Sequence, residues 1–124
     1  MRISAAELKV MEALWRESPA GAAEVATAVA AEGWSDRTVK TMLARLVDKG
    51  ALRAQPEGRR FLYTPLIERD AHRKDAVRGL ARRLFGGRAA PLVAHLADGD
   101  GLSAEDLDEL EALVRKLREA DDAR

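Results

Sequence analysis

The most informative segment of the chain runs from Ser35 to Gly50 and has the sequence SDRTVKTMLARLVDKG. At 100° per residue its apolar side chains fall on one side of a helix. Ser35 is a natural N-cap, because its hydroxyl can accept a hydrogen bond from a free backbone N–H, and Gly50 ends the pattern. The segment therefore predicts an amphipathic helix over about 36–49. Its apolar stripe consists of Val39, Met42, Leu43, Leu46 and Val47.

The chain before this segment predicts a first helix over about 5–17. Ser4 and Glu7 form a capping box, in which the serine side chain accepts from a backbone N–H and the glutamate reaches back. Apolar residues then recur at helical spacing, with Trp15 among them. Pro19 ends the pattern, since proline cannot continue the hydrogen-bond ladder.

A second helix is predicted over 22–32, with Gly33 as its left-handed C-terminal stop. Only Trp34 separates that stop from Ser35, so a short turn joins the second and third helices. We expect Trp34, like Trp15, to pack in the core. The low aromatic content of 4% argues against single-strand binding by base stacking.

After Gly50 the apolar period changes from helical to alternating. Residues 51–55 and 60–64 are short alternating runs on either side of the turn-forming tetrad Pro56-Glu57-Gly58-Arg59. Pro65 ends the second run. The pattern predicts a two-stranded β-hairpin.

Three further helices are predicted in the rest of the chain. The helical period returns over 68–85 and is broken by Gly86-Gly87, a shorter helix covers 89–97, and 98–101 is a loop. Ser103 then caps a last helix with a leucine stripe. The predicted fold class is mainly α with a small β wing.

Three helices followed by a two-stranded wing is the plan of a winged helix-turn-helix domain. In that plan the third helix enters the major groove, and side chains opposite its core stripe reach base edges. Arg37, Thr41, Ala44 and Arg45 lie opposite the stripe here, with Thr38 and Lys40 on its flanks. The alternative is an ordinary exposed face of a helix.

Charge supports a polyanion partner. The chain has 21 basic and 21 acidic residues, yet residues 37–60 contain seven basic and two acidic ones. Arg59 and Arg60 lie at the predicted wing tip, where they can meet backbone phosphate. Exposed turns also carry charge without any such role.

The leucine stripes of the last three helices predict a dimerisation region. A winged domain of about 65 residues has its own core, and DNA sites for such modules are usually paired, which suits a two-fold dimer. The alternative is a compact monomeric cap on the winged domain. The expected dimerisation residues are Leu80, Leu84, Phe85, Leu92, Leu96, Leu107, Leu110, Leu113, Val114 and Leu117.

Composition excludes several other classes of protein. There is no cysteine, and the two histidines, His72 and His95, have no histidine neighbour at helical spacing, so we expect no metal site and no cofactor. No glycine-rich phosphate loop follows a strand, and we expect no enzymatic activity. No apolar run approaches the roughly 20 residues of a membrane helix, and the N-terminus lacks signal-peptide features. We expect a cytoplasmic protein without membrane insertion.

Residues 34–52, WSDRTVKTMLARLVDKGAL, resemble the recognition segment of the penicillinase repressor (BlaI/MecI/CopY) family. The first helix, with Glu7-Leu8-Lys9-Val10-Met11 and Leu14-Trp15, is similar to that of the family. Further matches are Glu57-Gly58-Arg59, Tyr63-Thr64-Pro65-Leu66 and Leu84-Phe85-Gly86-Gly87. The likeness covers nearly the whole chain.

The resemblance implies a homodimeric repressor that occupies an inverted-repeat operator and blocks transcription. In some members of the family, the repressed genes are β-lactamase genes. Transferred by position, the family's DNA contacts fall on the third helix and the wing. The expected DNA-binding residues are Ser35, Arg37, Thr38, Lys40, Thr41, Arg45, Arg59 and Arg60.

Two family branches sense different signals. Members that govern β-lactamase genes are released when a membrane sensor-protease cuts an Asn-Phe pair, and the corresponding residues here are His95-Leu96. The copper-responsive branch uses a cysteine cluster that this chain lacks.

We therefore expect a winged helix-turn-helix DNA-binding domain over residues 1–67 and a helical dimerisation region over 68–124. The expected function is a DNA-binding transcriptional repressor. The alternative is a winged-helix module that binds another protein and no DNA.

Overall fold

Three helices, a hairpin and three further helices follow one another in the computed structural model, which describes residues 2–99 and 101–123. This order confirms the predicted fold class. The chain divides after Asp75, within the fourth helix, into two compact units, here called the winged unit and the helical unit. The elements are α1 (Ala5–Arg16), α2 (Ala22–Ala28), a 3-10 turn (Ala30–Glu32), α3 (Asp36–Asp48), β1 (Leu52–Glu57), β2 (Arg60–Pro65), α4 (Arg69–Phe85), α5 (Ala89–Ala97) and α6 (Ala104–Asp122).

The second helix is shorter than the sequence pattern predicts. α2 ends at Ala28, and Ala30–Glu32 continue as a 3-10 turn, so the prediction of one helix over 22–32 was wrong in its second half. Val29 leaves the helical conformation with φ −104° and ψ 19°, and its side chain is buried in the core. Gly33 has φ 74°, as the predicted left-handed stop requires.

The hairpin turn is tighter than predicted. β1 and β2 pair antiparallel from Leu52 opposite Pro65 to Glu57 opposite Arg60, so only Gly58 and Arg59 form the turn. Gly58 has φ 61°, which suits the first position of a two-residue hairpin turn. Pro56 and Glu57, expected in the turn, belong to β1. Proline has no backbone N–H to donate, and an edge strand tolerates it where that N–H would point away from the neighbouring strand.

A single apolar core unites the winged unit. The apolar faces of α1, α2 and α3 meet the first residue of β1, Leu52. Trp15 and Trp34 are half-buried against this core, as expected, and Trp15 Nε1 donates a hydrogen bond to the carbonyl of Ile67 at 2.9 Å. The largest fully buried side chains are Val10, Met11, Leu14, Val25, Val39, Leu43, Leu46 and Leu52.

The helical unit has almost no core of its own. Within its described residues, 76–99 and 101–123, Ala81 alone is buried. α6 begins with a capping box between Ser103 and Asp106. Part of the predicted loop over 98–101, Asp100, lies outside the described residues. None of the described helices has the length and apolar character that a membrane crossing requires.

A partly buried ion pair joins the start of α1 to the end of α3. Glu7 is only 3% exposed, and its Oε1 accepts hydrogen bonds from Lys49 Nζ at 2.6 Å and from the backbone N–H of Ser4 at 2.9 Å. Burial raises the pKa of the Glu7 carboxyl, but the bonds from Lys49 and Ser4 outweigh it, so the pKa lies below the ordinary 4.5. This carboxylate therefore stabilises the fold above that pH, and the contribution is lost as the pH falls.

The variant Lys49→Met tests this pair. We expect its free energy of unfolding at neutral pH to fall by about 1–3 kcal/mol, because the buried Glu7 carboxylate loses its charged donor and keeps only the backbone N–H of Ser4. It should also lose less stability than the wild type between about pH 6 and pH 3, since the ammonium group no longer lowers the pKa of Glu7. Urea unfolding at several pH values measures both effects. Lys9→Met, which breaks an exposed pair with Glu32, is the control and should change little; equal losses in the two variants would contradict the assignment.

Candidate nucleic-acid interface

Ser35 and Thr38 form the start of α3. The Ser35 hydroxyl accepts a hydrogen bond from the backbone N–H of Thr38 at 3.1 Å, and the two side-chain oxygens lie 3.0 Å apart. Both residues are exposed. Their hydroxyls therefore fix where the helix begins while remaining on the surface.

The two sides of α3 differ as the sequence predicts. Val39, Leu43 and Leu46 are buried on one side. The side chains on the opposite side and its flanks are exposed, so no other part of the winged unit covers them. These exposed residues are Arg37, Thr38, Lys40, Thr41, Ala44 and Arg45.

Thr41 uses its hydroxyl proton inside the helix. Thr41 Oγ1 donates to the carbonyl of Arg37 at 2.9 Å, one turn earlier. This bond is a common alternative partner for a threonine within a helix. With the hydroxyl oriented in this way, the methyl group is the contact that Thr41 can offer to an apolar partner.

The exposed cations of α3 form no ion pair with an acidic side chain among the described residues. Across residues 2–99 and 101–123, the ion pairs involve Lys9, Lys49, Arg60 and Lys74, and none involves a cation of α3. The charges of Arg37, Lys40 and Arg45 are therefore available to a polyanion. Lys49 belongs to the basic segment of the sequence but is held by Glu7.

The two wing arginines differ in their surroundings. Arg59 lies in the hairpin turn and is exposed. Arg60, the first residue of β2, contacts α2 instead: its Nη1 lies 2.6 Å from Oε1 of Glu24. The hydrogen bond from Arg60 lowers the pKa of the Glu24 carboxyl. Sequence analysis missed Glu24, because a partner 36 residues away leaves no local signal.

The histidines have aromatic neighbours. The ring centroids of His72 and Trp15 lie 5.7 Å apart, and those of His95 and Phe85 lie 6.0 Å apart. Within the part of the chain that the structure describes, no three histidine, aspartate or glutamate side chains gather as metal ligands would. The exposed side of α3, with its cations unpaired among the described residues, is therefore the candidate functional surface.

Comparison with known proteins identifies the chain's relatives. The model of the penicillinase repressor family matches residues 3–116. The penicillinase repressor of Bacillus licheniformis is 34% identical over 116 residues, which cover 93% of this chain and 91% of that protein.

Two solution structures match just over half of the chain. The DNA-binding domain of the repressor BlaI is 45% identical, with a TM-score of 0.51, over 55% of this chain and 84% of that one. Monomeric Bacillus licheniformis BlaI in complex with the blaP half-operator is 44% identical, with a TM-score of 0.50, over 56% of this chain and 87% of that one. These matches confirm the winged-helix plan and the resemblance to the penicillinase repressor family. The chain belongs to the penicillinase repressor family.

Proposed function

We propose that this protein is a DNA-binding transcriptional repressor that acts as a homodimer on an inverted-repeat operator. The observation that supports the proposal most directly is the exposed basic side of α3, whose cations form no ion pairs among the described residues, opposite the buried residues Val39, Met42, Leu43 and Leu46. The similarity to BlaI, one structure of which contains a half-operator, supports the same conclusion.

In this proposal α3 lies in the major groove, which is about 12 Å wide and accepts one helix. Arg37 and Arg45 can each donate two hydrogen bonds to a guanine, and the Thr41 methyl can contact a thymine. Ser35, Thr38 and Lys40 contact backbone phosphates beside the helix. Arg59 and Arg60 do the same from the wing, and such contacts set affinity and register without reading sequence.

In this proposal residues 1–67 bind DNA, and residues 68–124 form the dimer. Of the ten predicted dimerisation residues, seven are exposed, and Phe85, Leu92 and Leu110 are half-buried. Leu84 and Leu117 are 65% and 58% exposed. A second copy of the helical unit would remove these leucines from water.

An open, partly apolar surface along one side of α6 supports the dimer. Leu107, Leu110 and Val114 line it, together with Glu111 and Arg115. Apolar residues between charged ones, at this helical spacing, suit an amphipathic helix of the partner subunit.

The salt dependence of DNA binding tests the proposal. The logarithm of the binding constant should fall by about 0.9 per phosphate neutralised for each tenfold increase in salt. Two protomers making about 6–10 contacts should lose about 10³- to 10⁵-fold in affinity between about 50 and 200 mM salt. Fluorescence anisotropy with labelled duplexes measures this loss. A change of less than tenfold would contradict the proposed phosphate contacts. No binding to any duplex near about 10⁻⁵ M at physiological salt would favour the alternative module that binds protein and no DNA.

For the release of the repressor from DNA we propose cleavage by a membrane sensor-protease, on the basis of likeness to the family. His95 and Leu96 take the place of the Asn-Phe pair that sensor-proteases cut, and both are exposed. They lie inside α5, so a protease would first have to unwind that helix. Mass spectrometry of the protein recovered from antibiotic-treated cells would reveal a fragment ending at His95.

A further inference from the structure

The wing is anchored to the start of α2 by contacts that the sequence does not reveal. The backbone N–H groups of Ala20 and Tyr63 each donate to the other residue's carbonyl, at 3.2 and 2.8 Å, so Ala20 pairs with β2 as a short extra strand. Closer to the wing tip, Glu24 and Arg60 form their ion pair. The backbone bridge and the ion pair connect the same two elements.

Gly21 allows this close approach. A Cβ atom at Gly21 would lie 2.8 Å from Glu24 Oε2, 3.2 Å from Arg60 Nη1 and 3.5 Å from the Phe61 carbonyl oxygen. Since real Cβ atoms essentially never lie within 3.0 Å of another heavy atom, a larger residue would displace the Glu24 side chain. The absence of a side chain at Gly21 thus leaves room for the pair.

The ion pair is well formed but open to solvent. The side chains of Arg60 and Glu24 are 54% and 49% exposed. Exposed pairs of this kind contribute little to stability, so a competing anion can displace the carboxylate. Phosphate is such an anion, because arginine forms strong charge-assisted hydrogen bonds with phosphate oxygens as it does with a carboxylate.

We propose that Glu24 controls how strongly the wing contacts DNA: it holds Arg60 in the free protein and releases it to a backbone phosphate in the complex. This inference rests on the proposed function. This exchange makes the wing contact weaker than the contact of an arginine that has no acidic partner. The reason is that the Arg60–Glu24 pair must break, which leaves the Glu24 carboxylate unpaired near a polyanion. Glu24 must then take up a cation, which reduces the net release of counterions from the DNA.

The variant Glu24→Gln tests the exchange, since it removes the charge and keeps the size of the side chain. We expect DNA affinity to rise about two- to fivefold per half-site, the range that an exposed ion pair represents. The salt dependence should become steeper, by up to about 0.9 per protomer. Glu24→Ala should act in the same direction. Arg60→Gln should weaken binding.

The double variant Glu24→Gln/Arg60→Gln separates the exchange from simple repulsion between Glu24 and DNA. If Arg60 is the intermediary, the Glu24 change has no further effect once Arg60 is gone. A Glu24→Gln protein that binds no more tightly than the wild type, or an equal gain without Arg60, would overturn the exchange. Failure of the wild type to bind duplex DNA would instead overturn the proposed function itself.

Discussion

A chain with Leu113→Asp and Leu117→Asp is expected to be monomeric at micromolar concentration and to bind a complete operator about 10²- to 10⁴-fold more weakly than the wild type. In the dimer, the second half-site binds as an intramolecular step at high effective concentration, and that advantage is lost in a monomer. The two leucines are 49% and 58% exposed, so the substitutions leave the described contacts of the subunit intact. Each would place an unpaired carboxylate in the proposed interface.

Sedimentation equilibrium gives the oligomeric state. Titration of the protein into duplexes that carry either a half-site or the complete operator measures how much affinity is lost when the two half-sites are no longer bound together. Affinity for the half-site should stay the same, because the winged unit is unchanged. Ala112→Asp adds a carboxylate on the opposite side of α6 and is the matched control; it should remain dimeric. A wild-type protein that sediments as a monomer at micromolar concentration would remove the dimer from the proposal.

The parts of the winged unit that the sequence predicted are those with short-range causes. The two sides of α3 follow from the helical period alone. Leu43 and Arg45 lie on opposite sides of the helix, so a pattern that predicts burial of Leu43 also predicts exposure of Arg45. Ser35 and Gly33 mark the turn before α3 because hydroxyl capping and positive φ are properties of single residues. Such signals do not need knowledge of distant partners.

The parts that it missed depend on residues far apart in the chain. Glu7 was recognised as a helix cap, but its burial depends on Lys49, 42 residues later. Arg60 was assigned to the exposed wing tip, whereas Glu24 draws it towards α2. The sequence pattern also did not show that α2 ends at Ala28, just before the buried Val29. A periodic pattern predicts which face of a helix is apolar, but it does not predict which charged side chains form ion pairs.

The helical unit illustrates a different limit. Its helices were predicted by Ser103, Gly86-Gly87 and the leucine period, and the structure confirms them. Their leucines form no buried core within this unit, where Ala81 is the one buried residue among those described. The dimer thus remains a proposal based on surface that has no partner within its own unit.

Arg45→Ala and Arg37→Ala are each expected to weaken binding to a selected operator by about 1–3 kcal/mol, which corresponds to about five- to 150-fold, and to relax base preference at one position. The reason is that both side chains are exposed, unpaired among the described residues and opposite the buried stripe. The operator is first obtained from random duplexes with the wild-type protein. Binding is then measured to that site and to its single-base variants.

Arg59→Ala provides the contrast, because a phosphate contact carries no sequence information. We expect it to weaken binding to all sequences alike and to reduce the salt slope by about 1 per protomer. Arg16→Ala, an exposed cation in the last turn of α1, controls for the loss of charge alone. If Arg45→Ala lowers affinity for every sequence equally, Arg45 contacts phosphate, and base reading falls to Arg37 and Thr41. If neither arginine of α3 changes base preference, the helix does not read the groove through its exposed side.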